Sequence, residues 1–147
     1  MFGGRSAGSM PLSTLRSYWG DGSFRPGSQA TFTADSIAED VDALFFDANG
    51  DASPDLYVVS GGGFPVEGDV YQDRLYINDG AGQLARSTDA LPEITASGSC
   101  VVAADYDRDG DLDLFVCGRI LPEKYPLPAR SYLLRNDSRG GSVRFVD

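Results

Sequence analysis

The nine residues Asp105-Tyr106-Asp107-Arg108-Asp109-Gly110-Asp111-Leu112-Asp113 restrict this chain more than any others. Carboxylates fall on alternate positions, with one glycine among them. Apolar runs flank both sides, Val101 to Ala104 before and Leu114 to Cys117 after. Like charges so close together repel. A hard cation relieves that repulsion, and Ca2+ takes roughly six to eight oxygen ligands.

The same pattern occurs once more. Asp47-Ala48-Asn49-Gly50-Asp51-Ala52-Ser53-Pro54-Asp55 matches it at positions one, three, five and nine, 58 residues earlier. A second landmark keeps this spacing: Gly20-Asp21-Gly22, Asn78-Asp79-Gly80 and Asn136-Asp137-Ser138, with Tyr18 and Tyr76 also in register. Two landmarks at one offset define an internal repeat.

Each unit reads as short strands. In the middle unit, Val41 to Phe46 is nearly continuous in apolar residues and suits a strand covered on both faces. Strands are expected at Leu56 to Val59 and Arg74 to Ile77, then a hairpin at Asn78-Asp79-Gly80 and a more polar outer strand at Gln83 to Ser87. The last unit repeats the order with Val101 to Ala104, Leu112 to Cys117, Ser131 to Arg135 and Val143 to Val146. The first keeps the hairpin near Asp21 and a fourth strand around Ala30 to Thr33. No stretch has a helical period with caps.

Four strands per unit, apolar inside and polar outside, describe a propeller blade. The expected fold is all-β, a β-propeller arc of four-stranded antiparallel blades, an incomplete propeller. The units are a partial first blade at 1–37, a second blade at 38–95 and a third at 96–147. About two and a third blades fall short of the roughly four to eight that close a ring. The chain is therefore expected to be a fragment whose partners include the missing blades of the same propeller.

Positions one, three and five of each loop offer side-chain oxygens: Asp47, Asn49 and Asp51, and Asp105, Asp107 and Asp109. Position seven, Ser53 or Asp111, offers a backbone carbonyl. Position nine, Asp55 or Asp113, closes the cage. An EF-hand needs a bidentate Glu at position twelve. Val58 and Val116 stand there, between strands rather than helices, so an EF-hand and a helix-opening sensor are rejected.

Asp-x-Asp-x-Asp-Gly-x-x-Asp-Leu between apolar strands, followed by the Leu75 to Gly82 hairpin, resembles the FG-GAP/VCBS repeat family. Asp113-Leu114-Phe115-Val116 and Ser131 to Asp137 are most similar to its bacterial secreted and surface members. The resemblance covers residues 38–147 well and 1–37 weakly. It implies calcium-loaded β-propellers of extracellular proteins, integrin-α-like, with Ca2+ at two sites. Ala52 stands where the family has glycine, and Asn49 replaces a carboxylate. The 105–113 site is therefore expected to bind more strongly than 47–55, and the metal to be structural.

Composition narrows the function. The net charge is −10 and the pI about 4.3, which argues against nucleic acid and against anionic membrane surfaces. No apolar run is long enough to insert in a membrane. There is no histidine, so the commonest general base and zinc ligand are lacking. Gly4-Arg5-Ser6-Ala7-Gly8 spells a nucleophile elbow without its histidine, and Gly80 to Ala85 spells a dinucleotide fingerprint at a hairpin; both read as loops. Residues 1–8 lack the core of a signal peptide.

Cys100 and Cys117 are expected to be buried free thiols, since a centred hairpin sets Val101 opposite Cys117; a shift of one residue would pair them. Asn136 opens a sequon, explained equally by its hairpin. The 118–131 connection carries Arg119, Lys124, Tyr125 and Arg130. It is expected on the face opposite the acidic loops, packed on the neighbouring blade or contacting a partner.

The expectation is a non-catalytic, extracellular or cell-surface scaffold for adhesion or for binding an unidentified protein or carbohydrate ligand. The alternative is a piece of a larger propeller enzyme, a carbohydrate-active lyase or hydrolase with its catalytic residues elsewhere.

Overall fold

The structure is a computed structural model that describes residues 16–18, 21–26, 30–63, 70–94, 96–121 and 124–147. A short hairpin, β1 (Arg16–Tyr18) and β2 (Phe24–Pro26), comes first, and a one-turn helix, α1 (Ala30–Ala34), follows. Two four-stranded antiparallel sheets come next. One contains β3 (Glu39–Phe46), β4 (Asp55–Gly61), β5 (Arg74–Asn78) and β6 (Leu84–Ser87). The other contains β7 (Ser97–Ala104), β8 (Asp113–Ile120), β9 (Tyr132–Asn136) and β10 (Phe145–Val146). Both are meanders with strands in chain order. They are two blades of an incomplete propeller. The Gly4–Gly8 segment lies outside the described residues.

The 58-residue offset holds at the level of individual strand pairs. Phe45↔Leu56 becomes Ala103↔Leu114, and Leu56↔Tyr76 becomes Leu114↔Leu134. Even the irregularity repeats. Val41 is skipped between Asp40 and Asp42, and Ser99, 58 residues on, is skipped between Gly98 and Cys100. Each is an extra residue that shifts the register of its first hairpin by one.

Each blade presents two apolar faces, because side chains alternate along a strand. Leu56, Val58 and Tyr76 of the second blade form one cluster with Phe32 and Leu84. Tyr57, Val59 and Leu75, on the other face, join Val101, Leu114, Val116, Tyr132 and Leu134 of the third blade in the main core. The strand covered on both faces is thus β4, buried along its whole length, and not β3 as its apolar run suggested. β3 lies at the sheet edge, so Val41 and Phe45 stay exposed. Truncating Leu75 or Leu114, both 0 % exposed, costs about 2–5 kcal/mol for such buried leucines.

The two sheets approach closely at Gly98. A Cβ there would stand 2.3 Å from Val59 Cγ1, so only glycine fits. Polar ties flank this crossing: the Val101 N–H donates to Asp42 Oδ2 (3.0 Å) and Ser97 Oγ donates to the Gly62 carbonyl (2.7 Å).

Helix α1 occupies the place expected for a fourth strand at Ala30 to Thr33. The reason is tertiary. Phe32 meets the Tyr76 ring edge-on at 5.1 Å, and Asp35 accepts the Tyr76 hydroxyl at 2.7 Å and pairs with Arg86. Residues three apart share one side of a helical turn, whereas in a strand they would point to opposite faces. Burial and the Asp35 hydrogen bond push the Tyr76 phenol well up. Beneath, Arg74 pairs with Asp40, and Asp73 accepts the Tyr57 hydroxyl (2.7 Å) and the Ser60 N–H (2.8 Å).

Candidate metal centre

The acidic loops join β3 to β4 and β7 to β8 at one end of the blades, and the β5–β6 and β9–β10 hairpins lie at that same end. The 118–131 connection begins within β8 and crosses at the opposite end. Lys124 to Pro128 are exposed, with Tyr125 at 89 %, whereas Ile120 is half-buried and a Cβ on Gly63 of the second blade's sequence would stand 3.9 Å from its Cδ1.

Both loops are wired by their own carboxylates. Asp47 accepts N–H groups from Asn49, Gly50, Asp51 and Ala52 at 2.8–3.3 Å. Asp105 accepts those of Asp109 (3.1 Å) and Gly110 (3.2 Å). Asp51 accepts the Ser53 N–H (2.7 Å), and Asp109 accepts that of Asp111 (3.0 Å). Such Asx turns curl the backbone so that positions one, three and five converge.

In the second loop the convergence is tight. One carboxylate oxygen each from Asp105, Asp107 and Asp109 lies within 4.8 Å of the others, and all three residues are exposed. Ca2+–O distances are about 2.3–2.6 Å, so oxygens on opposite sides of one ion stand about 5 Å apart. The three oxygens therefore fit a single hard cation. Among the described residues, every hydrogen bond to these three carboxylates comes from a backbone N–H. Desolvation first, then the charge of Asp109, raises the Asp107 carboxyl above its ordinary value.

In the first loop, Asn49 Nδ2 donates to Asp51 Oδ2 at 3.0 Å, and Asn49 Oδ1 accepts the Asp51 N–H at 3.0 Å. An amide donor thus stands where a cation would act. The Ser53 N–H first, then Asn49, holds the Asp51 carboxyl below its ordinary value.

Position nine behaves differently from the rest. Asp55 and Asp113 are 0 % and 2 % exposed. Asp55 accepts the Ala48 N–H (2.9 Å) and the Asn78 N–H (2.8 Å); Asp113 accepts the Tyr106 N–H (3.0 Å) and the Asn136 N–H (2.7 Å). These carboxylates pin the loop to the third strand of the blade. Burial raises the Asp55 carboxyl despite both donors. Asp111 and Asp113 are not part of the Asp105–Asp107–Asp109 cluster.

Backbone conformation divides between the loops in an unexpected way. Positions four and six are left-handed in both. The first loop has Gly50 (φ 77°) and Ala52 (φ 64°); the second has Arg108 (φ 66°) and Gly110 (φ 99°). Each loop supplies one glycine for two such positions. The strain expected at Ala52 is real, but Arg108 carries its counterpart in the other loop.

The family profile of the FG-GAP-like repeat matches residues 47–116. This stretch is an FG-GAP-like repeat. No curated protein and no solved structure gives a significant match to the chain. The repeat match runs from position one of the first loop to position twelve of the second, so it spans both acidic loops, strands β4 to β7 between them and the start of β8.

The residues that sequence reasoning underrated in the repeat are Asn78 and Asn136. Both appeared as hairpin signals. Besides donating their backbone N–H groups to Asp55 and Asp113, they donate side-chain amides: Asn78 Nδ2 to the Pro54 carbonyl (2.9 Å), Asn136 Nδ2 to the carbonyls of Ala48 (3.0 Å) and Leu112 (3.3 Å). Asn136 is 3 % exposed with its amide engaged, so its sequon is inaccessible in the folded blade. The recurrence of Asn at the 58-residue spacing was the signal.

A separate cleft of about 430 Å³ lies at the other end of the second blade, lined by Gln72, Asp73, Arg86, Thr88, Leu91 and Glu93. Burial raises the Asp73 carboxyl to about 6, against the hydrogen bonds from Ser60 and Tyr57.

Proposed function

We propose that this chain is a calcium-stabilised, non-catalytic segment of a β-propeller scaffold, working outside the cell or on its surface in adhesion or ligand binding. The observation that carries the metal reading is the convergence of Asp105, Asp107 and Asp109 on one point with no side-chain donor among them. Ca2+ would offset most of the charge of three clustered carboxylates and hold the β7–β8 turn closed. The 47–55 loop, with Asn49 bonded to Asp51, binds more weakly. The difference rests on ligand charge, since each loop bears one non-glycine left-handed residue. Exposed oxygen sites of this kind fill where free calcium is high, as outside cells. Recognition of a protein or carbohydrate ligand falls to the exposed connection around Lys124, Tyr125 and Leu127, presented by a rigid blade.

The cleft beside Asp73 supports the second reading, a piece of a larger propeller enzyme. That reading is weaker, because both Asp73 oxygens already accept hydrogen bonds from Tyr57 and Ser60.

Thermal melts with Ca2+ and with EDTA test the proposal. At a hundredfold excess over Kd, one site adds about 2.7 kcal/mol to folded-state stability. The expected result is a higher midpoint with Ca2+, reversed by EDTA. No shift removes the structural metal.

A further inference from the structure

The β7–β8 register brings the two cysteines of the chain together. Cys100 is directly opposite Cys117, and not one residue away as the centred hairpin suggested. The pairing continues without a break from Ala104↔Asp113 at the loop through Val101↔Val116, so the turn sets it, and the extra residue Ser99 lies beyond it. Directly opposed residues in an antiparallel pair share one face and stand about 4.5–5.5 Å apart at Cα. A disulfide needs about 4.4–6.8 Å. Both thiols are free and half-buried, contrary to the expectation of full burial. A thiol–thiol hydrogen bond with Cys100 raises the Cys117 thiol. They lie on the face of the third blade that carries exposed Val102 and Phe115, so a small reagent reaches them without opening the sheet. The corresponding pair in the second blade is Asp42↔Val59, so only the third blade carries this device.

The geometry points to Cys100 and Cys117 as a reversible dithiol–disulfide pair, a covalent staple across the hairpin that carries the Asp105–Asp113 loop. The co-reactant is a low-molecular-weight disulfide of the glutathione type. One cysteine thiolate attacks a sulfur of that disulfide, breaks its S–S bond and releases one thiolate. The other cysteine thiolate then attacks the protein-bound sulfur, forms the Cys100–Cys117 bond and releases the second thiolate. Two electrons pass to the external disulfide, and the two released thiolates take up the two protons lost by the cysteines. The staple constrains the unfolded chain around residues 101–116. It does not depend on what the loop binds.

The test uses the full chain incubated with oxidised glutathione at mildly alkaline pH, then intact mass and peptide mapping without reduction. The expected product is two hydrogens lighter, has no titratable thiol and yields a Cys100–Cys117 cross-linked peptide. Its melting midpoint in EDTA is several degrees above that of the reduced chain. Reduction reverses the shift. Cys100→Ser and Cys117→Ser, melted before and after the same treatment, show no such rise and end as mixed disulfides. Stable mixed disulfides on the parent chain, persistence of both thiols, or chain-to-chain dimers as the sole oxidised product would each overturn the proposal.

Discussion

Asn136, at the end of β9, donates its side-chain amide to the carbonyl of Ala48, inside the acidic loop of the preceding blade. One side chain therefore links the third strand of one blade to the cation loop of another. Asn136→Ala leaves the Ala48 and Leu112 carbonyls without this donor in a buried setting. The expected loss is about 1–3 kcal/mol, measured by urea unfolding. A loss of only about a few tenths of a kcal/mol would mean the tie carries no weight.

Asp113→Ala should destabilise the chain even in EDTA. It strips the partner from the Tyr106 and Asn136 N–H groups, and hydrogen bonds to a charged group contribute about 1.5–3 kcal/mol each. Asp107→Ala, by contrast, should leave stability in EDTA nearly unchanged and abolish most of the Ca2+-dependent gain. The measurement is the pair of melts, with and without Ca2+, for each variant. Equal behaviour of the two variants would dissolve the distinction between pin and ligand.

Ala52→Gly and Arg108→Gly should each stabilise the chain. A non-glycine residue in the left-handed region costs about 1–2 kcal/mol, and glycine gives back roughly 0.5–1 in chain entropy. A net gain of about 0.5–1 kcal/mol is expected for each, similar in size, from chemical denaturation in EDTA. An unchanged or lower midpoint for both would show that hydrogen bonds in the turns already offset the strain.

Asp73 gives the chain a pH dependence of unusual sign. Its folded carboxyl is raised to about 6 by burial, above the ordinary 3.8. Between these values the folded chain holds a proton that the unfolded chain has lost. This contribution is fully present below about pH 4 and disappears as pH rises through about 6. At roughly 1.4 kcal/mol per pH unit the span is about 3 kcal/mol. Asp73→Asn should flatten the stability profile between pH 4 and 6, as read from urea midpoints at closely spaced pH values. A profile parallel to that of the parent chain would refute the assignment.

What could be read from the residues and what could not separate along physical lines. The strands, the hairpins and the position of both acidic loops followed from alternation, glycine placement and the 58-residue spacing, all of which are local signals. Helix α1 did not, because the pull of Tyr76 and Arg86 on Phe32 and Asp35 comes from residues about 40 to 50 positions away. The skipped residues Val41 and Ser99 were invisible for the same reason. A bulge is set by how two strands settle against each other. The cysteines were separated on paper for a different reason, a turn taken one residue off the Ala104↔Asp113 register that closes the loop. At the site, the alternation marked Asp105, Asp107 and Asp109, whose carboxylate oxygens the fold brings together. The division of labour between outward Asp107 and inward Asp113 was not legible, since both are aspartates on the same alternation. Burial and the N–H groups of Tyr106 and Asn136 tell them apart.

The two faces of a blade are different surfaces made by one repeat. Leu114, Val116 and Leu134 of the third blade meet Tyr57, Val59 and Leu75 of the second. Shifted by 58 residues, Tyr57 and Leu75 become Phe115 and Leu133, which lie 44 % and 43 % exposed. A front-to-back contact of this kind is heterologous: it never satisfies both members at once, as a two-fold dimer does. Tandem duplication of such a unit extends the stack without inventing a new joint, and the extension ends by ring closure or by a cap of different design. The repeat thus encodes a direction of growth as well as a shape.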